Sequence, residues 1–376
     1  GNQCQTTPPW IWGEINVKLA LINDTHAGAR GDNPHINDFF FRFWDNIFFP
    51  ALAEHKVDRV VHLGDVVDRR KFINFAIWDK WQTCFFDRLN NELKIPIDLL
   101  TGNHDCYYRN TNDVNALKEL ISKYPNVRIF SEPQDMQYGS LLVALVPWIN
   151  SGNHDAAMKY LETTAAPVIL GHLEITGFQM DQGNVCLVGA DRSIFERFDM
   201  VISGHFHHRS SDGLIYYLGN QYEITWADYN DPRGFHIFDT ETRELTFIQN
   251  PYRLFHKLVY DDSVQNFEFW KNHDFTPYAN SYVKIVVTRK QNRYLFENVM
   301  DTLYKSDPLD VTVVEDYSEP TPDDTKPDVN QAEDTITIIR KCVDGMTMPG
   351  GVEPLKLKGL LQEIYVEAVN EETAIL

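Results

Sequence analysis

Five apolar runs in this chain end abruptly on polar residues of the types that can ligate metals. "VKLALI" from Val17 leads to Asp24 and His26. "VDRVVHL" from Val57 leads to Gly64, Asp65 and then Asp68. "IPIDLL" from Ile95 leads to Gly102, Asn103, His104 and Asp105. "PVIL" from Pro167 leads to Gly171 and His172, and "DMVIS" from Asp199 to Gly204, His205, His207 and His208. Short apolar runs bounded by turn-forming residues read as buried strands, and "LLVALVPW" from Leu141 reads as another. Between them Asn37 to Glu54, Asn74 to Leu93 and Asp113 to Tyr124 have helical patterning, the last with Asp113 as its N-cap. Strands alternating with helices give a layered α/β domain. In such sheets the carboxyl ends of the strands form the rim where ligands gather, so five strand ends can deliver five polar clusters to one place.

The residue types narrow the chemistry. Carboxylates, an amide and imidazoles without a thiolate suit manganese, iron or zinc in five- or six-coordinate sites. The candidate ligands exceed what one ion holds, and a carboxylate such as Asp65 can bridge two, so two-metal hydrolysis of a phosphate ester is the leading reaction. Each fragment alone is weak, because Asp, Asn and His are common in turns; the set of five in order carries the inference. His205 and His207 are two apart and share one side of an extended chain, whereas His208 faces the other way and is structural or substrate-facing. His62, inside a strand run, reads as a satisfied core side chain. "GNHD" occurs twice. The copy at Gly102–Asp105 sits on a strand end, while that at Gly152–Asp155 follows "INS" and opens "DAAMKYLE", so Asn153 or Asp155 reads as a helix N-cap.

With 376 residues and 43% hydrophobic content the chain is globular, and its net charge of -20 excludes a general polyanion-binding surface. Any nucleic-acid footprint must be local: Arg69, Arg70 and Lys71 in "DRRK", Arg209 beside the histidines, and Arg233. Five scattered cysteines without a CxxC pair fit a reducing compartment, so a cytoplasmic location is expected. No apolar run approaches the roughly 20 residues of a membrane span. The expected organisation is an N-terminal extension (1–16), a first domain (17–254), a small strand-helix-strand domain (255–314), an acidic proline-bearing linker (315–334) and a helical segment (335–376). In the last, Leu357, Leu360, Leu361, Ile364 and Ala368 share a face of a helix from about Glu353 to Val369. Such a stripe suits a partner's groove.

The series "DTH", "GDVVD", "GNHD", "GH" and "GHFH" resembles the calcineurin-like metallophosphoesterase superfamily over about Val17 to Asn250. Within it the longer pattern is similar to the SbcD-type nuclease subunits of the double-strand-break repair complex. "KYPNV", "VPW", "NDPRGF" and "FDTET" suggest the T-even phage branch. The resemblance implies a four-layer α/β fold, two β-sheets flanked by helices, with a small α+β capping domain that contacts DNA and a C-terminal helical segment that docks on an SbcC-like coiled-coil ATPase. It further implies two Mn2+, with Mg2+ as a substitute. Asp24, His26, Asp65 and His207 would hold one ion, and Asp65, Asn103, His172 and His205 the other. His104 would be the catalytic histidine, its tautomer fixed by Asp68 or Asp105. The implied activity is 3′-5′ exonuclease and single-strand endonuclease action on DNA ends, by a homodimer within a heterotetramer. The alternative is a phosphoprotein or nucleotide phosphatase on the same metal site.

Overall fold

The computed structural model describes residues 16–181 and 184–315, and beyond them 342–344, 346, 353–355, 357–361 and 364. The expectations for the N-terminal extension, the acidic linker and most of the C-terminal helix therefore lie outside the described residues. The chain forms two compact units, one of residues up to Tyr222 together with Asn230–Pro251, the other of Glu223–Tyr229 and the residues from Tyr252. The second unit thus begins earlier than the expected boundary at 254/255 and includes a distant loop. The Glu223 carboxylate explains why: it accepts the N–H groups of Leu254 (2.6 Å) and Phe255 (2.9 Å) and pairs with Arg253 (3.1 Å). A contact across thirty residues of chain is not visible in linear patterning.

In the first unit the strands are β1 (Lys18–Ile22), β2 (Arg59–His62), β3 (Ile97–Leu100), β4 (Val127–Phe130), β5 (Gln134–Tyr138), β6 (Leu141–Val146) and β7 (Val168–His172). These continue with the short pair β8 (Gln179–Asp181) and β9 (Asn184–Val185), then β10 (Met200–Gly204), β11 (Ser210–Ser211), β12 (Ile215–Tyr217), β13 (Gly234–Asp239) and β14 (Leu245–Gln249). One sheet has the order β14-β13-β1-β2-β3-β4 and a second β11-β12-β10-β7-β6-β5. Strands β1 to β4 are parallel in the first, as are β12, β10, β7 and β6 in the second.

Side chains alternate across each strand, and the burial follows that period. Leu19, Leu21, Val61 and Leu100 of the first sheet meet Val143, Leu145, Leu170 and Ile202 of the second in one buried cluster. On the outer face of the second sheet Ala144, Ile169 and Val201 pack with Leu161, Phe195 and Phe198. Aromatic helices accompany the first sheet. Pro34–Phe43 runs through a π-helical turn, Trp44–Phe48, into Phe49–Glu54, and Phe75–Trp81 runs on through π-helical turns to Leu93. Trp44 lies 4.9 Å from Phe48 and from Phe85, ring centroid to centroid, and Phe48 lies 5.0 Å from Phe235 on β13. The phenylalanines of this helix are core residues.

Local chemistry sets the helix starts. The first begins three residues earlier than expected, because Asn33 accepts from the N–H groups of His35 and Ile36 and Pro34 occupies the first turn. Asn74 caps the second, its side chain accepting from the N–H groups of Ala76 and Ile77. The third spans Ala116–Ile121 and is capped by Asn115, whose side chain accepts from Lys118 N–H (3.0 Å), and not by Asp113. The backbone of Ala116 is held to the Asp105 carbonyl (2.8 Å), so the turn from Asp105 to Asn115 delays the helix.

The second unit carries β15 (Phe255–Asp261), β16 (Tyr282–Arg289) and β17 (Asp310–Glu315), all parallel, with helices Phe267–Lys271 and Arg293–Lys305 in the connections. Leu258, Tyr260, Trp270, Ile285, Val299 and Leu303 belong to its own core. Among the described residues no helix is long and apolar enough to cross a membrane.

Candidate metal centre

The five polar clusters leave β1, β2 and β3, parallel neighbours in one sheet, and β7 and β10, parallel neighbours in the other. All five face one another at the same edge of the sandwich. The backbone there is strained. Asp24 (φ 49°), His26 (φ 44°), Asp65 (φ 58°) and His205 (φ 85°) are left-handed without being glycine, a conformation that costs of order 1–3 kcal/mol and persists only where the surroundings enforce it. Two glycines are required by close approach. A Cβ on Gly64 (φ 102°) would stand 2.5 Å from His172 Nδ1, and one on Gly102 would collide with Asp65 Oδ1.

Asp105 joins two of these loops. Its buried carboxylate accepts the N–H groups of Asp65 (2.9 Å), Val66 (2.9 Å), Val67 (3.2 Å) and Gly102 (2.9 Å), holding "GDVV" against "GNHD". Both its oxygens are used by backbone, so it does not set the His104 tautomer. Asp68 does so, but through its main chain: His104 Nδ1 donates to the Asp68 carbonyl at 2.5 Å. The Asp68 carboxylate instead lies 3.3 Å from His26 Nδ1. Of the two residues expected to fix the His104 tautomer, Asp68 is the one in contact, through its main chain.

The side chains converge in two overlapping groups. In one, His26 Nε2 is 3.1 Å from His207 Nε2 and 3.9 Å from Asp24 Oδ1, which is also 4.0 Å from His207 Nε2. In the other, Asn103 Oδ1 is 3.0 Å from both His172 Nε2 and His205 Nδ1, and His172 Nε2 is 3.4 Å from Asp65 Oδ2. Asp65 also combines with His26 and His104 within ligand range, which places it between the groups. His172 donates its Nδ1 proton to the Leu63 carbonyl (2.7 Å), which turns Nε2 toward the oxygens of Asn103 and Asp65. Asp24 Oδ1 is buried and has no hydrogen-bond partner. Lone pairs aimed at common points, with a buried orphaned carboxylate oxygen, fit divalent cations.

The electrostatics agree. Burial opposes a charge on His26, yet Asp68, Asp65 and Asp24 outweigh it and raise its pKa to about 9. Burial likewise opposes a charge on His172, and Asp65 overrides it, again to about 9. Burial works against the Asp65 carboxylate, but His172 and His104 hold its pKa well below the usual range. The carboxylates therefore favour positive charge at His26 and His172, while burial, His26 and Arg233 hold the His207 imidazole well below its usual range.

Other expected residues are placed as follows. His208 is turned away onto Asp231 (2.9 Å). His62 is a satisfied core imidazole: Nδ1 accepts from Gly64 N–H (3.2 Å), Nε2 meets Thr25 Oγ1 (2.9 Å), and burial drives its pKa down to about 3. Arg233 is not available to DNA; it is 4% exposed and bound to the His207 carbonyl, Asn220 and Asp231. Arg69 is paired with Asp32. Arg70, Lys71 and Arg209 lie nearer solvent, Arg209 over the Phe247 ring at 4.2 Å. Trp148 was legible only as part of "VPW"; its ring stands 5.0 Å from His205 and 6.0 Å from His172.

The second "GNHD" starts the helix His154–Thr163 with Asn153 at the N-cap position. The Asn153 side chain braces the preceding loop, accepting from Asn150 N–H (2.8 Å) and donating to the Trp148 carbonyl (3.0 Å). Asn103→Ala should weaken manganese binding roughly tenfold or more, while Asn153→Ala leaves it unchanged in a metal titration; equal losses would show that the two copies were assigned wrongly.

A constellation of this composition, at the carboxyl ends of parallel strands in two facing sheets, defines a metal-dependent phosphoesterase. Residues 17–209 match the calcineurin-like phosphoesterase family, and the chain belongs to it. It is similar to exonuclease subunit 1 of Enterobacteria phage T4, at 28% identity over 77% of this chain and 83% of that protein. It is also similar to the SbcD component of the nuclease SbcCD from Staphylococcus saprophyticus, at 24% identity over 70% and 73% of the two chains, and to its counterpart from Staphylococcus epidermidis, at 25% over 53% and 59%.

Proposed function

We propose that the chain is a manganese-dependent DNA nuclease, with 3′-5′ exonuclease and single-strand endonuclease action, that processes DNA ends in double-strand-break repair and recombination. The observation that supports the reading is that Asp24, His26 and His207 gather in one group and His172 and His205 in another with Asn103 between them, while Asp65 lies within ligand range of His26 as well as of His172 and His205. Relatives named as nuclease and exonuclease subunits support DNA as the substrate. Asp24, His26, Asp65 and His207 would hold one ion and Asp65, Asn103, His172 and His205 the second. Mn2+ fits this oxygen and imidazole set, and Mg2+ can substitute. Bound there, the ions supply Lewis-acid activation of the phosphate and of the attacking water.

The protein's own groups do the rest. The Asp68 carboxylate orients His26 so that Nε2 faces the centre. Asp105 fixes the spacing between the loops that carry Asp65 and Asn103. His104, with its Nδ1 proton committed to the Asp68 carbonyl, has Nε2 left to take up a proton from water and pass it to the departing 3′ oxygen, returning to the neutral ring. Arg70, Lys71 and Arg209 contact the DNA backbone.

Incubation with linear duplex DNA, a single-stranded circle and p-nitrophenyl phosphate tests the reading. Both DNAs should be cut with Mn2+ and neither with EDTA. Hydrolysis of p-nitrophenyl phosphate with both DNAs left whole would make the chain a phosphatase.

The protein acts in the cytoplasm, as a homodimer, with an SbcC-like ATPase bound by residues 335–376. The names of the relatives, as parts of larger nucleases, support a partner. Deleting everything after Asp334 should abolish co-purification with that ATPase and leave Mn2+-dependent cutting of single strands intact; a truncated chain that still co-purifies places the docking surface elsewhere.

A further inference from the structure

The loops that carry Asp68 and His104 continue outward into an exposed ledge of alternating rings and cations. After His104, Tyr107 and Tyr108 are 41% and 50% exposed, with rings 4.7 Å apart in an edge-to-face arrangement, and Arg109 follows. After Asp68, Lys71 places its ammonium 5.7 Å from the Tyr107 ring centre, and Phe72 is 71% exposed. The two strips are held together at their bases: His104 Nδ1 meets the Asp68 carbonyl, and Arg70 reaches the Cys106 carbonyl at 3.5 Å.

We propose that this ledge is a stacking platform for unpaired nucleotides entering the metal centre, with Tyr107 and Tyr108 as base-stacking residues and Lys71 as a phosphate contact. The inference rests on the nuclease reading and adds to it the residues that select a single strand. Every base offers a π-face, so aromatic rings beside cations bind single strands without reading their sequence. Paired bases in a duplex keep their faces stacked on each other and cannot use the rings. The occupant is argued from charge and continuity: in a chain of net charge -20, Arg70, Lys71 and Arg109 cluster here, two to five residues from Asp68 and His104.

The test compares the full-length chain with Tyr107→Ala/Tyr108→Ala and Tyr107→Phe/Tyr108→Phe, using a labelled oligo-dT and the same backbone made abasic, in EDTA so that strands stay intact. Wild type should bind oligo-dT roughly tenfold more tightly than the abasic strand, or better. The alanine pair should bring that preference within twofold, and the phenylalanine pair should keep it, because stacking needs the ring and not the hydroxyl. Lys71→Ala should weaken both strands alike and lower the slope of log affinity against log salt by about 0.7. Unchanged melting temperature and metal stoichiometry verify that the variants are folded. An alanine pair that keeps the base preference overturns the proposal, as does one that merely converts a dimer to a monomer, which would make the ledge a self-association surface. The nuclease reading fails separately, by absence of DNA cleavage in Mn2+; the ledge is judged on binding alone.

Discussion

His104→Gln should retain its metals and lose phosphodiester cleavage by about 100- to 10,000-fold, the usual range for loss of a positioned proton donor. The reasoning starts from the tautomer. A carbonyl oxygen can only accept, so the 2.5 Å contact to Asp68 fixes the proton on Nδ1 and leaves Nε2 for substrate. Burial and the neighbouring His26 lower the pKa of His104 against the pull of Asp65 and Asp68, so its protonated form is a stronger acid than ordinary imidazolium. His104 also lies within ligand range of His26 and Asp65, which makes a ligand role the competing account. Glutamine separates the two. Metal content measured on the purified variant should equal that of wild type; a variant that loses an ion makes His104 a ligand, and one that cuts DNA at the wild-type rate removes it from the mechanism.

A large stability loss in the first unit is expected from Asp98→Ala. Asp98 is fully buried on β3, where it accepts from Arg59 on β2 (2.9 Å), from Nε and Nη2 of Arg128 on β4 (2.7 and 2.6 Å), and from the Tyr138 hydroxyl on β5 (2.6 Å). One carboxylate thus ties three strands of one sheet to the edge of the other. Removing one partner of a buried pair costs about 3–5 kcal/mol. Both arginines retain some solvent access, so the lower figure applies, about 3 kcal/mol, or roughly 6–12 °C in melting temperature for a domain of this size. The exposed pair Arg243–Asp199 is the control, and its removal should cost under about 1 kcal/mol. Equal shifts in the two variants would show that the Asp98 cluster is solvated in solution.

What was legible in the sequence follows from where the physical signal is local. Strand cores announce themselves by apolar runs, and polar residues at their ends are conspicuous, so β1, β2, β3, β7 and β10 and the clusters after them could be read directly. The edge strand β5 could not: "QDMQY" is mostly exposed and carries no apolar run. Arg233 looked like a surface cation because sequence does not record burial. Asp105 looked like a partner for His104, because a carboxylate whose partners are backbone N–H groups leaves no side-chain signature. The left-handed backbone at Asp24, His26, Asp65 and His205 was equally invisible, since nothing in those residue types demands it. It appears only where the two sheets bring five loops to one point.

We propose that these loops build one centre for two ions sharing Asp65. Equilibrium dialysis against Mn2+, with metal counted per chain, tests this. Wild type should hold two ions, Asp24→Ala and Asn103→Ala one each, and Asp65→Ala should lose the tight binding of both. A wild-type chain that saturates at one ion, or an Asp65→Ala variant that still holds two, would contradict the account.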